Sequence, residues 1–373
     1  QLLGLWQQLL PTERSRDLQV IEGGTVASRT MRTFAGLLRV QEVGLLSVVL
    51  VLMVVLSWLG YEHARPGQPN LFLNKENLVE GVVTPMSIYT IMAVGMTCVI
   101  ITGGIDISVG SVMALAALAG AASMEALPKD APPGLVLITG IGVPILVGAI
   151  CGGLNGLFVV MLDMHPFIVT LGSMGIFRCM AIVLPTQATL PSAGRLLPEA
   201  FRPGLMSWSV MGVEVVPLLV TFAVVGAGVL FLRYMVSGRE IYAVGGNEEA
   251  ARFSGIHVAR AKFLVYIISG VCAGIAAVVS LGRFGTASSN TAQGYELAVV
   301  AGAVIGGASL AGGRGTALGA LLGTLIIALI ENGIVTFSNN REYRLGIIGA
   351  AILLAVALER VSASRRTCEH FFP

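Results

Sequence analysis

The chain has 373 residues, of which 55% are hydrophobic and only 12% are charged, about half the charged fraction of an ordinary soluble domain. A soluble protein of this length could not cover its surface with so few polar groups, so the composition predicts an integral membrane protein. The net charge of +2 is too small to indicate a nucleic-acid partner.

Apolar segments that could cross a bilayer recur along the whole chain. A spanning helix needs about 20 mostly apolar residues, and the pattern predicts an all-α polytopic membrane protein with about eight to ten transmembrane helices. We expect the long segment that contains Pro144 to kink or tilt, and the segments around Gly103 and Gly306 to be broken or re-entrant. The candidates are residues 43–60, 83–103, 108–126, 134–160, 166–184, 210–232, 261–282, 296–310, 315–337 and 344–360.

The basic residues indicate which side of the membrane each connection faces. Cytoplasmic loops carry an excess of Lys and Arg, and the side shared by both tails and residues 233–260 holds most of them. We therefore expect residues 1–42 and 361–373 to be cytoplasmic tails, and residues 43–360 to form a transmembrane domain with a cytoplasmic loop at 233–260. The N-terminal tail shows no charged leader region and no cleavage site, so we expect no signal peptide there.

The stretch GGIDISVGS, which begins at Gly103, places an acid among glycines between two apolar segments. The glycines can end one helix, and Asp106, Ser108 and Ser111 offer oxygens to the free N–H groups of the next. One interpretation is therefore a helix break with an acidic cap, which the helix dipole favours. The other is that Asp106 faces a translocation path, because ionisable residues at membrane depth are usually functional. Both can hold, since broken helices tend to line substrate cavities.

A short internal repeat links this stretch to a later one. A shift of 203 positions places Gly103 on Gly306 and Gly110 on Gly313, and further small residues match downstream. Repeats of this kind are frequent in transporters. The later stretch, GGASLAGGRGT, is Gly-rich, but a phosphate loop needs GxxxxGK[ST] and no Lys in the chain follows a Gly. We expect a tight turn or a broken helix there, and no cofactor.

Polar side chains also lie deep in other apolar segments. Arg178 lies too far from the membrane surface to reach it easily, so it is either paired or lining a wet cavity. The five cysteines form no CxxC pair, and we expect neither a disulfide nor a metal site. The sequence has no HExxH motif and no nucleophile–base pattern, so we predict no enzymatic chemistry. The candidate pathway residues are Asp106, Ser108, Ser111, Asn155 and Arg178.

Residues 238–263 form the longest polar stretch between apolar segments on the side assigned to the cytoplasm. Asn247 can cap a short helix, EEAARFSG, with two glutamates in its first turn and Gly255 at its end. Its small apolar side chains, including Ala251, leave an apolar surface outside the membrane. An ordinary connector would have this pattern too, whereas the functional interpretation is a helix that docks into a cytoplasmic partner. The candidate docking residues are Gly245, Gly246, Asn247, Glu248, Ala250, Ala251, Gly255 and Ile256.

Four stretches together resemble the permease subunits of bacterial ABC sugar importers of the ribose, xylose and autoinducer-2 type. They follow the order and spacing of that family between about residues 78 and 358. The first and third are specific, because the related amino-acid permeases lack a GGIDxSVGS element. The stretches are GMTCVIITGGIDISVGSVMALAA, NGLFVVMLDMHPFIVTLGSMGIFRCMA, AVGGNEEAARFSGIHVARAKFLVYIISG and GYELAVVAGAVIGGASLAGGRGTALGALLG.

The resemblance implies a transport subunit of the bacterial cytoplasmic (inner) membrane that moves a monosaccharide or similar small polyol and has no ATPase of its own. The partners it implies are an ABC ATPase subunit, a second permease copy or homologue, and a periplasmic or extracellular sugar-binding protein. Residues 245–256 would then contact the ATPase. The alternative is an ATP-independent secondary transporter or channel for a small polar solute. A proton-coupled carrier usually needs intramembrane acids, and Asp106, Glu214 and Glu331 are few and scattered.

Overall fold

The computed structural model describes residues 40–353 and 357, except residues 66, 186, 188, 193–195, 206–208, 211–212, 339–342 and 344–345. Most of the N-terminal tail, the whole C-terminal tail and part of the last predicted apolar segment lie outside the described residues. The chain divides after Val43, and everything below concerns the unit that begins at Gly44, apart from the first residues of the first helix.

Apolar helices make up most of the described structure, because each predicted apolar segment satisfies its backbone hydrogen bonds internally. In chain order they are α1 Val40–Glu62, α2 Thr84–Ile101 with π-helical turns Asn77–Val83 before it, α3 Val109–Glu125, α4 Pro133–Met161, α5 Pro166–Val183, α6 Val216–Tyr234, α7 Val236–Gly246, α8 Glu248–Phe253, α9 Val258–Phe284, α10 Tyr295–Ile305 and α11 Ala317–Phe337.

Short pieces of other structure connect these helices. Two antiparallel ladders pair β1 Thr189–Leu190 with β4 Ala287–Ser288, and β2 Ser209–Val210 with β3 Val213–Glu214. A further π-helical stretch covers Ala200–Leu205, and residues 346–353 are helical.

Seven of the described helices are long and apolar enough to cross a membrane, namely α1, α2 with its π-helical start, α4, α5, α6, α9 and α11. The predicted all-α polytopic architecture is confirmed, and each predicted segment up to 337 corresponds to a helix. Two of them, α3 and α10, have only 17 and 11 residues. They are too short to span a bilayer as regular helices, which agrees with the expectation that the segments around Gly103 and Gly306 are broken. The 29-residue α4 continues through Pro144 as one helix.

The turns that end α2 and α10 have the same geometry. Gly103 and Gly307 adopt left-handed φ angles of +80° and +92°. In each turn the N–H of the next residue reaches back to a carbonyl in the last turn of the helix, as in a Schellman motif. These turns correspond at an offset of 204, whereas the helices that follow begin at Val109 and Ala317, an offset of 208. The predicted single offset of 203 is therefore wrong, because the second connection is longer.

Helices α4 and α9 contact each other backbone to backbone. A Cβ atom at Gly148 would collide with the carbonyl of Gly270, and one at Gly152 would collide with the carbonyl of Tyr266. A Cβ at Gly274 would lie 2.5 Å from the carbonyl oxygen of Pro144. Only glycine at these positions permits so close an approach, and this contact brings the polar residues of α4 and α9 together.

The core of the unit lies around α2. Almost all of α2 is buried, because α6, α9, α10 and α11 all contact it. The helix α1, in contrast, exposes most of its apolar surface, and α4, α5 and α6 expose much of theirs. Such helices are stable only where lipid or another membrane helix covers the exposed face. Asp106 and Ser108, in the turn after α2, are buried beside α4 and α9.

Candidate functional site

A buried polar cluster holds the turn between α2 and α3. Oδ1 of Asp106 accepts hydrogen bonds from the N–H of Ser108 at 3.0 Å and from its hydroxyl at 2.6 Å. Oδ2 of Asp106 accepts a hydrogen bond from the hydroxyl of Ser269 at 2.8 Å. Nδ2 of Asn155 donates to the Ser108 hydroxyl, also at 2.8 Å. The four side chains, which we call the Asp106 cluster, are at most 1% exposed, so they hold one another rather than face open solvent.

The carboxylate of Asp106 closes the turn and does not cap α3. It accepts the N–H of Ser108, which is the residue before the first helical residue, and no side chain makes a capping bond to α3. The expectation that Ser108 and Ser111 cap this helix is wrong. The Ser108 hydroxyl is already committed to Asp106, and the hydroxyl of Ser111 is buried without a partner among the described residues. An Asp side chain bonds most easily two residues ahead, which is the geometry found here.

Two members of this region were not identified from the sequence. Ser269 completes the Asp106 cluster from α9, and Tyr266, one turn earlier on the same helix, places its hydroxyl 2.7 Å from the position that a Cβ of Gly104 would take. The Tyr266 hydroxyl and Oδ1 of Asn155 have no partner in the described part of the chain. Tyr266 and Ser269 are polar residues three positions apart on one face of an apolar segment, and this spacing is the signal in the sequence that could have identified them.

A cavity of about 320 Å³ lies beside the Asp106 cluster. Gly103 and Gly104 of the turn form one wall, and Tyr266 forms part of another. The α4–α5 connection and the junction of α7 with α8 complete it. Glu248 and Lys262, which also line it, form an ion pair with 2.7 Å between Oε2 and Nζ. The cavity thus joins the two regions that the sequence singles out, and its volume is in the range of sites for small ligands.

The predicted short helix after Asn247 is present as α8. Oδ1 of Asn247 accepts the N–H of Ala250 at 2.9 Å, and Gly255 ends the segment with a φ of +84°. The expectation that Ala251 presents an apolar surface is wrong, because this residue is only 4% exposed and packs in a cluster with Val244 and two apolar residues of α9. The side of α8 that faces outward carries Phe253, which is 84% exposed.

Residues 233–260 are largely helical rather than a loop, since α7 and α8 lie within them. At the end of α7, Gly245 contacts two turns at once. A Cβ there would collide with the carbonyl oxygen of Ile101 and would lie 2.6 Å from the nitrogen of Gly313. The N–H of Gly313 donates to that same Ile101 carbonyl at 2.8 Å. We call this three-way contact the glycine junction. Its neighbour Gly246 has no atom within 4 Å of its Cβ position.

The candidate docking residues differ in their exposure. Gly245, Gly246, Asn247 and Glu248 line the cavity, while Ala250 and Gly255 are exposed and Ile256 is half-buried. A further contact ties α7 to the second turn, because the hydroxyl of Tyr242 donates to the carbonyl of Gly315 at 2.6 Å.

Arg178 belongs to a different part of the molecule from the Asp106 cluster. Its Nη1 donates to the carbonyl oxygens of Ser289 and Thr291, at 2.7 and 2.9 Å. Arg178 was expected to be either paired or lining a wet cavity. It is paired, and its hydrogen-bond partners are backbone carbonyls instead of an acid. The Glu296 carboxylate lies near enough to act on the Arg178 charge.

Comparison with known proteins identifies the kind of protein that carries these features. A family model described as branched-chain amino acid transport system / permease component matches residues 78–356. The D-allose transport system permease protein of Escherichia coli K12 is 35% identical over 79% of this chain and 86% of its own length. The ribose import permease protein of the same strain is 34% identical over 90% of this chain and 98% of its own.

A third relative, the fructose import permease protein of Bifidobacterium longum, is 34% identical over 72% of this chain and 78% of its own length. No solved structure matches the chain. The apolar helices and the matched permeases make the chain a multi-pass membrane protein and a transport subunit rather than an enzyme. The chain therefore belongs to the family described as branched-chain amino acid transport system / permease component.

Proposed function

We propose that the chain is the membrane-spanning permease subunit of an ABC importer that carries a monosaccharide or similar small polyol across the cytoplasmic membrane. A separate ATPase subunit would supply the energy, and a second permease and a sugar-binding protein would complete the transporter. The observation that carries the proposal is the similarity to a ribose import permease over 90% of this chain. The family description names branched-chain amino acids, but the relatives described above carry the names of sugars.

We infer that α7 and α8 face the cytoplasm and form the surface that the ATPase contacts. Basic residues concentrate on that side of the predicted topology. The segment 245–256 ends in an exposed short helix held by Asn247 and by the ion pair between Glu248 and Lys262. An exposed aromatic side chain such as that of Phe253 is a typical anchor for a partner surface.

If α7 and α8 face the cytoplasm, the Asp106 cluster supports the cytoplasmic end of the transport pathway. The turn that it holds forms a wall of the cavity between α4, α7 and α9. Asp106, Ser108 and Asn155 are buried, so their part in transport is to hold that wall in place. Ser111 on α3 and Arg178 on α5 would belong to the same route further from the cavity.

Reconstitution tests the proposed function directly. The chain is purified with the ATPase and the binding protein encoded beside its gene, placed in liposomes, and offered D-ribose, D-allose, D-fructose, D-galactose and leucine in turn. We expect uptake of at least one sugar that requires ATP inside the liposome. Uptake that proceeds equally without ATP would indicate a secondary transporter or channel. Uptake of leucine alone would contradict the sugar assignment.

The docking surface has its own test. Phe253→Asp removes the exposed anchor of α8, and we expect at least tenfold less ATPase to copurify in detergent, because truncation of an interface anchor typically loses 2 kcal/mol or more. Phe284→Asp is the matched control, since Phe284 is also exposed but lies at the far end of α9. Equal recovery of the ATPase with both variants would place the docking surface elsewhere.

A further inference from the structure

The chain between α9 and α10 turns back beside α3 and is mostly not helical. We call residues 285–296, which include the first two residues of α10, the re-entrant segment. Near its start, β4 pairs with β1, and two residues beyond β1 the N–H of Ser192 donates to Glu125, the last residue of α3. Near its end, the carbonyl of Ala292 lies 2.7 Å from the Cβ position of Gly110, the second residue of α3. The re-entrant segment therefore passes beside α3, and its second half reaches the first turn of that helix.

The re-entrant segment is tightly held although little of it is regular. Arg178 binds two of its carbonyls from α5. The N–H of Ser288 donates to the Thr291 hydroxyl at 2.9 Å, and the N–H of Thr291 donates back to Ser288. Ala292 takes a φ of +57°, a left-handed conformation that a side chain makes unfavourable. Strain of this kind persists only where the surroundings impose it, and it concentrates at functional sites.

Polar side chains on this segment remain accessible. Asn290 and Gln293 are exposed and Glu296 is half-buried. The Glu296 carboxylate lies 2.5 Å from the Cβ position of Gly110, and the neighbouring Tyr295 packs edge-on against Tyr89 of the buried α2. Tyr89 lies near the middle of the span Asn77–Ile101, so Tyr295 and the adjacent Glu296 lie at the depth of the apolar helices.

Lipid cannot cover such a surface. An irregular backbone at membrane depth is stable only where protein buries it or where it lines a water-filled cavity. Amide and carboxylate side chains at this depth are likewise unfavourable against hydrocarbon. Asn290 and Gln293 are exposed among the described residues, so this side of the re-entrant segment faces either a partner subunit or water. In a transport subunit, a water-filled surface at this depth is the route of the solute.

We propose that Asn290, Gln293 and Glu296 form a subsite that binds the hydroxyl groups of a neutral, polyhydroxylated solute on its way through the membrane, and that Arg178 is the positioning residue that holds this subsite. The proposal rests on the proposed function. Amides both donate and accept hydrogen bonds, and a carboxylate accepts from two hydroxyls at once. Nη1 of Arg178 is occupied by carbonyls, and the nearby opposite charge of Glu296 offsets that of Arg178. The subsite therefore favours a neutral sugar over a carboxylate or phosphate.

Thiol labelling tests whether the segment faces water. Gln293→Cys and Glu296→Cys are made with all five native cysteines replaced, and membranes are treated with a charged methanethiosulfonate reagent. Val54→Cys is the control for a side chain that faces lipid, since Val54 is 69% exposed on the apolar helix α1. Ala298→Cys is the control for a side chain buried in protein, since Ala298 is 0% exposed on α10. We expect the two subsite cysteines to react at least tenfold faster than both controls. Reaction as slow as the controls would overturn the proposal.

Transport kinetics in the reconstituted complex test the subsite itself. We expect Gln293→Ala and Glu296→Gln to raise the apparent KM for the sugar about tenfold without loss of ATPase copurification. Arg178→Met should do the same, and Arg178→Lys should restore most of the affinity, because an ammonium can still donate to both carbonyls. If the unaltered chain takes up sugar and no variant changes the apparent KM, the proposal of a subsite is overturned. Absence of any sugar uptake by the unaltered chain would instead refute the proposed function.

Discussion

The close contact of α4 with α9 can be tested at two adjacent glycines of the same helix. A methyl group at Gly152 would collide with the carbonyl of Tyr266 and would lie 3.1 Å from the Cα of Gly270. A methyl group at Gly153 would find only a side-chain carbon of Ile267, at 4.0 Å. Both substitutions to Ala gain about 1 kcal/mol of helix propensity, so this contribution cancels between them. Overpacking against rigid backbone destabilises by about 3 kcal/mol. We therefore expect Gly152→Ala to be about 3 kcal/mol less stable than Gly153→Ala.

Buried thiols provide the assay for this difference. Cys98, Cys151 and Cys272 are buried in the folded protein, so a thiol-reactive dye reports their exposure as the detergent-solubilised protein is heated. A difference of about 3 kcal/mol corresponds to about 4 °C between the two melting temperatures, at about 2.1 cal/mol/K of unfolding entropy per residue. Equal melting temperatures, or a lower value for Gly153→Ala, would refute the inference that backbone contact joins these helices.

Three further predictions concern the turn and the α7–α8 segment. Asp106→Asn should change the free energy of unfolding by no more than about 1 kcal/mol, whereas Asp106→Leu should lower it by about 4 kcal/mol, because three hydrogen bonds to a carboxylate disappear. The same dye assay measures both variants. Asn247→Ala removes a helix cap worth about 1 kcal/mol, so amide exchange at Ala250 should rise about fivefold. Gly245→Ala should abolish uptake and Gly246→Ala should preserve it, because only the first meets backbone atoms; loss of uptake in both would contradict this.

The helices were predictable because their signal is local. A run of apolar residues long enough to cross a bilayer forms a helix whatever its neighbours are, and the predicted segments agree with the described helices to within a few residues up to Phe337. The α8 helix was predictable for the same reason, since Asn247 and Gly255 act on residues next to them in the chain.

The contacts between distant residues were not predictable in this way. Asp106 and Ser269 are 163 positions apart, and Arg178 bonds a carbonyl 111 positions away. A single sequence carries no signal for such pairs. The inward orientation of Ala251 depends on where α7 and α9 pack, and the pattern of α8 alone does not show which of its sides they cover.

The glycine junction has a mechanical consequence. Contacts between side chains yield when a helix shifts, because each side chain can change its rotamer and absorb the movement. At the junction, α7 meets the carbonyl of Ile101 and the N–H of Gly313 with no side chain between them. A push on α7 therefore cannot be absorbed there, and it reaches the turn after α2 and the turn after α10 together. The two halves of the internal repeat would then respond to one displacement at the same moment, as one stiff body.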